Sequence, residues 1–176
     1  LNMFAASKTD SASTGDYQIS RSLRFNSADS AYLNRTPASA GNSNTFTFST
    51  WVKRGALNTD EGIFCADNNN ITSIDLLRFL SSNSLRVLLV IGSGPTYGSY
   101  NTNAIYADLS AWYHIVMVID TTQSIDVNRV KLYVNNVQQS FSGSPTYPTQ
   151  NYNVLYFNNT ISHFIGQYGA NVAFYN

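Results

Sequence analysis

The chain has 176 residues with ten basic and ten acidic side chains, so its formal net charge is zero, and only 11% of its residues are charged. Such a balance gives no electrostatic attraction to nucleic acid or to an anionic membrane, and we expect neither as a partner. The length fits one domain with a single buried core, the lone cysteine excludes an internal disulfide, and no apolar run is long enough to span a membrane.

The first 16 residues are rich in Ser, Thr and Ala and predict an extended N-terminal arm, which leaves residues 17–176 for the domain itself. From residue 17 onwards apolar and polar residues alternate in short runs, and no segment carries a helical stripe of any length. In chain order, this alternation first predicts strands at residues 18–25, 30–34, 45–53, 62–66, 71–80 and 85–91.

The segment 45–53 (TFTFSTWVK) predicts a strand with two different faces. Phe46, Phe48 and Val52 lie on one face, whereas Trp51 shares the other face with Thr and Ser side chains. A face rich in hydroxyl groups is typical of a sheet surface that faces solvent or a ligand.

Two segments rich in Gly, Ser and Pro, residues 92–103 and 142–151, predict long loops. Exposed aromatic rings stack on the apolar faces of sugars, so the tyrosines in and beside these loops are candidate ligand-binding residues. The alternative is that these rings fold back over the edge of the sheet or pack on a neighbouring subunit. The four candidates are Tyr97, Tyr100, Tyr147 and Tyr152.

Residues 112–119 are apolar or aromatic on both alternating faces, which predicts a strand that is covered on both sides. Residues 129–135 alternate cleanly, which predicts a half-solvated strand with Val130, Leu132 and Val134 inward. The pair Asn135 and Asn136 predicts a tight turn, because Asn tolerates positive φ. Three more strands are expected at residues 137–141, 153–157 and 161–167.

The predicted fold is therefore all-β, a β-sandwich of two antiparallel sheets. Four segments, SLRFNSADSAYLNRTPASAGNSNTFTFSTWVKRG, AWYHIVMVIDTTQ, NRVKLYVNNVQ and NNTISHFIGQYGANVAFYN, resemble the laminin-G-like, concanavalin-A-like jelly-roll family. The resemblance is strongest to modules of virion proteins from tailed marine phages, and such modules usually continue with a final strand that this chain would lack or borrow.

That resemblance implies a non-enzymatic structural or adhesion module on the virion surface, in a head fibre, a capsid decoration or a tail fibre. The implied partners are other virion proteins, further copies of the same chain, with a trimer as one option, and host surface glycans. A free carbohydrate-binding lectin is the first alternative and a glycoside hydrolase the second.

Acidic residues bear on the hydrolase alternative and on metal binding. Hydrolysis of a glycosidic bond usually needs two carboxyl groups, but the chain has a single glutamate, Glu61, and no Asp-x-Asp or Asp-x-Glu on a predicted strand. We therefore expect no catalytic residue and no cofactor. Calcium is one open alternative, because oxygen ligands suffice for it. Its candidates are Asp67, beside three asparagines, and Asp120 with Asp126, although turns in which Asp bonds its own backbone explain the same pattern.

Overall fold

The computed structural model describes residues 22–68, 74–91 and 97–167. Within these ranges the chain forms ten strands and two short 3-10 helices, Ser27–Asp29 and Asp126–Asn128. The strands are β1 (Leu33–Arg35), β2 (Thr45–Lys53), β3 (Glu61–Asp67), β4 (Ile74–Phe79), β5 (Ser84–Val90), β6 (Tyr97–Ile105), β7 (Trp112–Asp120), β8 (Val130–Val134), β9 (Val137–Gln138) and β10 (Ser162–Ile165). The described ranges hold no helix with the length and hydropathy needed to cross a bilayer.

The strands form two sheets, and every pair of neighbouring strands is antiparallel. One sheet has six strands in the order β1-β10-β3-β4-β5-β6, and the other has four in the order β2-β7-β8-β9. Two such sheets bury the apolar face of each strand between them, which is the architecture of a β-sandwich. The predicted fold class is confirmed.

The core lies between the two sheets. From the four-stranded sheet, β7 and β8 contribute alternate residues such as Ile115, Met117 and Leu132, all of them buried. From the six-stranded sheet, β4 and β5 contribute Leu77 and Val87, which are also buried. The inward side of β8 is the one its alternation predicted, because a period of two assigns every second residue to the core.

The prediction that β7 is covered on both sides is wrong. Trp112, at its start, is 47% exposed, and His114, Val116 and Val118 on the same face are only partly buried. This face lies on the outside of a sandwich of two layers, so neighbouring side chains cover it partly and no third layer packs on it within the described ranges. Aromatic and β-branched residues persist there because they suit a pleated, half-exposed surface.

Two loop and strand assignments also need correction. Residues 97–105, most of them expected in a loop, form β6, which pairs with β5 at the edge of the six-stranded sheet. An edge strand tolerates the Gly, Ser and Asn that otherwise indicate a loop. Residues 153–157 form no strand, because the backbone N–H groups of Tyr156 and Phe157 bond to the Asp75 side chain rather than to a neighbouring strand.

Smaller differences concern the ends of elements. The first strand is Leu33–Arg35 rather than 30–34, β9 ends at Gln138, and residues 22–25 form no strand. Asn135 and Asn136 have φ of 49° and 66°, so the predicted tight turn is confirmed. The expected N-terminal arm, residues 18–21 and 71–73 of the predicted strands, and the missing or borrowed final strand lie outside the described residues.

Candidate functional site

Two tryptophans stand on the outer face of the four-stranded sheet, the side that points away from the core. Trp51 of β2 is 50% exposed and Trp112 of β7 is 47% exposed. The register places Trp51 opposite His114 and Lys53 opposite Trp112, so the tryptophans are diagonal neighbours on adjacent strands. Diagonal neighbours on adjacent antiparallel strands are about 7–8 Å apart. A pair of exposed indoles on one sheet face is unusual for a globular domain and indicates a contact surface.

The indole of Trp51 is held in place by its neighbour across the strands. Its ring stacks on the His114 imidazole, with ring centres 4.8 Å apart and an angle of 21° between the planes. The His114 Nε2 atom lies 3.0 Å from the Ser49 hydroxyl, and the backbone N–H of His114 donates to the Asn135 side chain. A ring fixed before binding loses little conformational entropy when a ligand stacks on it.

Polar side chains continue the same face. Thr45, Thr47 and Ser49 lie along β2 on the Trp51 side, and the last two are exposed. On β8, Tyr133 lies opposite Val116, and its hydroxyl is 3.2 Å from the Gln138 side chain oxygen. We call the surface formed by Trp51, Trp112, His114, Tyr133 and the three hydroxyl residues of β2 the aromatic platform.

Charges around the aromatic platform occur in opposite pairs. Hydrogen bonds from Ser110 hold the pKa of Asp108 below its usual value, with a smaller contribution from the nearby Lys53 charge. Hydrogen bonds from the Thr122 and Gln123 side chains lower the pKa of Asp120, again with a smaller contribution from a lysine, Lys131. Each lysine beside the platform therefore has a carboxylate close to it.

A groove of about 530 Å³ lies on the side of the sandwich where β1 and β10 approach β2. Its floor contains parallel stacked rings, with Phe48 and Phe64 centred 4.3 Å apart and Phe64 and Phe157 4.9 Å apart. In its wall, the His163 Nε2 atom accepts a hydrogen bond from the backbone N–H of Asn158, and Nδ1 bonds the Ile161 carbonyl. Burial lowers the pKa of His163, so the ring is a neutral structural group.

The structure describes the side chains of three of the four candidate tyrosines, and these three are buried or half-buried. Tyr100 is fully buried, packs against Phe141 and Tyr147, and donates from its hydroxyl to the Thr146 carbonyl. The expectation that the Tyr100 ring is exposed for stacking is therefore wrong: it faces inward because β6 is a strand whose alternate residues enter the core. Tyr152 is half-buried, with its hydroxyl 3.4 Å from the Val90 carbonyl. The side chain of Tyr97 lies outside the described part of the structure.

We expect Tyr100→Phe to lower the free energy of unfolding by about 1 kcal/mol, because it removes one buried hydrogen bond and leaves the ring in place. Burial raises the pKa of this hydroxyl well above its usual value, so it donates at every ordinary pH. Denaturant unfolding measures the loss. Unchanged stability together with weaker glycan binding would instead identify Tyr100 as a ligand contact.

The three candidate calcium ligands lie in different settings. Asp67 is buried in β3, and the neighbouring Asn69 and Asn70 lie outside the described residues. Asp120 accepts hydrogen bonds from the backbone N–H and the hydroxyl of Thr122. This is the local turn that was the alternative to calcium binding in the sequence analysis. Asp126 accepts from the backbone N–H next to it.

The loop between these aspartates already surrounds a cation. The Arg129 guanidinium donates to the carbonyls of Gln123, Ser124 and Pro148 at 2.8–2.9 Å. Among the residues that the structure describes, no group of three or more His, Cys, Asp or Glu side chains could hold a metal ion. Calcium binding stays a prediction, without a preformed cluster of acids in this part of the chain.

Glu61 does not face solvent. It is fully buried, its Oε2 lies 2.7 Å from Arg54 Nε, and its Oε1 accepts from the Ala56 backbone. Arg54 also donates to the Asn83 side chain and to the Tyr106 carbonyl. These contacts make Glu61 half of an internal ion pair and remove it from any surface where a sugar could bind.

The chain matches a laminin-G family model described as concanavalin A-like lectin/glucanases superfamily, over residues 25–174. Among solved structures it is similar to domain 4 of AbnA, a GH43 extracellular arabinanase from Geobacillus stearothermophilus, in complex with arabinotriose. The sequence identity is 16%, the TM-score is 0.38, and the match covers 77% of this chain and 58% of that one. No curated protein matches significantly. With most of its length matched by the family model, the chain belongs to the concanavalin A-like lectin/glucanases superfamily.

Proposed function

We propose that this domain is a non-catalytic glycan-binding module and that it acts on the surface of a virion. The observation that carries the first part is the aromatic platform, with two half-exposed tryptophans beside a row of hydroxyl side chains on one sheet face. Indole faces pack against the C–H groups of sugar rings, and nearby hydroxyls exchange hydrogen bonds with sugar hydroxyls. That combination of chemistry suits a glycan better than an apolar or charged ligand.

The positions of the acidic groups support a role without catalysis. Retaining and inverting glycosidases place two carboxyl groups on either side of the bond to be broken. Here Glu61 is held inside by Arg54, and the two aspartates beside the platform each sit near a lysine. The pKa of both aspartates is lowered, which makes them poor proton donors at neutral pH.

We expect Trp51→Ala and Trp112→Ala each to weaken glycan binding about tenfold, because each removes one stacking ring worth about 1.5 kcal/mol. The test is a glycan array with the whole chain, followed by titration of the best ligand with each variant. Tyr32→Ala is the matched control, since Tyr32 is 44% exposed and contacts Phe164 of the six-stranded sheet. Equal losses in all three variants, or no glycan bound by the unmodified chain, would contradict the assignment.

The virion location is supported by the resemblance of residues 22–55, 111–123, 128–138 and 158–176 to phage modules and by the zero net charge, which suits a subunit held in an assembly. We propose that the chain is part of a head fibre, a capsid decoration or a tail fibre. Its partners there would be other virion proteins or further copies of itself, for example in a trimer. Antibody labelling of purified particles in the electron microscope should place the chain on the exterior. Its presence only in the cytosol of infected cells, together with glycan binding, would favour a free lectin.

A further inference from the structure

We infer that the ligand of the aromatic platform is a neutral polysaccharide that is held along its length rather than by a terminal sugar. This inference rests on the proposed glycan-binding function and concerns the chemistry and the form of the ligand. It follows from two observations, the balance of charges around the platform and the spread of its contact groups along β2.

The charges argue for a neutral ligand. Carboxylated and sulfated sugars are bound most strongly by cations that are free to approach them, and by arginine in particular. Lys131 lies opposite Val118, so Asp120 is its diagonal neighbour on the adjacent strand, and the charge of Lys53 acts on Asp108. Arg129, which directly precedes β8, already donates to three backbone carbonyls. The charges of the two lysines and the two aspartates therefore balance, and an anionic chain would meet carboxylates as often as ammonium groups.

The shape argues for a polymer. Sites for small ligands are concave and bury most of the ligand. The contact groups of the platform are instead spread along β2 from Thr45 to Trp51, about 20 Å of extended strand. A single terminal sugar stacked on Trp51 would leave Thr47 and Thr45 without a contact. An extended chain stacked on the indoles reaches the hydroxyls as well.

Another protein surface, including a second copy of this chain, is the competing occupant of the face. Stable protein interfaces have an apolar centre and bury on the order of 1,000 Å² or more. Thr45, Thr47 and Ser49 occupy one whole side of the platform, and Lys53 and Lys131 lie beside it. The apolar side chains between them, Val116 and Val118, are only partly exposed and lie directly beside Ser49 and Thr47. A face that mixes aromatic rings with hydroxyl groups in this way fits a sugar chain better than the broad apolar centre of a protein interface.

The experiment compares neutral and acidic polymers directly. Affinity electrophoresis of the whole chain uses xylan, galactan, mannan and mixed β-glucan as the neutral probes, and polygalacturonate and alginate as the acidic ones. We expect retardation by at least one neutral polymer, with a dissociation constant that changes less than about twofold between 50 and 500 mM salt. The matching monosaccharide should compete at least about a hundredfold more weakly by weight than the polymer.

Two variants test whether contacts extend along the strand. Thr47→Val keeps the side-chain volume and removes one exposed hydroxyl, and it should weaken polymer binding about threefold to tenfold. Thr160→Val, at an exposed position outside the platform, should leave polymer binding unchanged. A hydroxyl contact distant from the indoles is expected only for a ligand that extends along β2.

The outcomes separate this inference from the proposed function. Binding that favours polygalacturonate or alginate and weakens with salt would overturn the neutral assignment while leaving glycan binding intact. If the monosaccharide competed as strongly by weight as the polymer, the assignment of a polymeric ligand would be overturned. Binding of no glycan, together with a dimer in sedimentation that Trp51→Ala dissociates, would overturn both proposals and assign the face to a second copy of the chain.

Discussion

Replacement of Glu61 by Gln is expected to lower the free energy of unfolding by about 3–5 kcal/mol, because it leaves the Arg54 guanidinium buried without its counter-charge. Arg54 is 2% exposed and Glu61 is fully buried, so water cannot screen the unpaired ion. The guanidinium is further fixed by its donation to Asn83 and by the Phe79 ring, 4.5 Å from its central carbon. Denaturant unfolding of the two proteins side by side measures the difference.

A double variant separates the effect of the two charges on stability from the effect of side-chain volume. Arg54→Met with Glu61→Gln removes both charges, and we expect it to be more stable than the sum of the single changes predicts. Asp29→Asn, at an exposed carboxylate, is the control and should change stability by no more than about 0.5 kcal/mol. Suppose instead that Glu61→Gln unfolds like the unmodified chain while a measured polysaccharide turnover disappears. Glu61 would then be a catalytic acid, and the non-catalytic proposal would fail.

The alternation of residues was sufficient to predict the sandwich and much of its core. Every second residue of β8 is apolar, and three of the four inward residues of β2 are, which is the pattern of a strand buried on one side. The same alternation assigned Trp51 to a hydroxyl-rich face that faces solvent or a ligand. The part of the platform that β2 contributes could therefore be predicted from the sequence.

The other half of the platform could not be predicted from the sequence. Trp112 and His114 occur in a run that is apolar on both faces, and such a run is typical of a strand covered on both sides. Only the pairing of β7 with β2 shows that these residues share the outer face with Trp51. Register between strands that are far apart in sequence depends on the whole sheet, so the spacing within either strand carries no information about it.

The burial of Tyr100 was missed for a related reason. Residues 97–105 have the composition of a loop, and local composition outweighed a weak alternation that places Tyr100 and Thr102 inward. Pairing with β5 supplies the backbone hydrogen bonds that make this polar segment a strand. Tertiary contacts therefore overrode local propensity at the edge of the sheet, where strands are least regular.

Asp75 is a second buried acid with a large expected effect. Its two carboxyl oxygens accept from the backbone N–H groups of Val90, Tyr156 and Phe157, which joins β4 to the end of β5 and to the irregular segment at 153–157. Asp75→Asn has one acceptor oxygen instead of two and turns an N–H₂ group toward a backbone donor. We expect a loss of about 2–3 kcal/mol at pH 5, measured by denaturant unfolding, because at least one buried N–H is left without an acceptor.

The same side chain makes stability depend on pH. Burial raises the pKa of Asp75 to about 6, and the three backbone hydrogen bonds oppose this increase. Between about pH 4 and pH 6 the folded chain keeps a proton that the unfolded chain has released, so the unfolded state binds fewer protons. The contribution of this group to stability is then fully present below pH 4 and is lost as the pH rises through 6, a change of about 3 kcal/mol.

Subtraction of the Asp75→Asn values from those of the unmodified chain isolates that contribution, because the amide does not titrate in this range. We expect the difference in unfolding free energy between the two proteins to shrink from about pH 4 and to level off above about pH 7. Asp29→Asn should preserve the full pH dependence. A difference that grows with rising pH would mean that the three N–H donors outweigh burial and hold Asp75 as a stabilised carboxylate, so the fold would favour the charged form here.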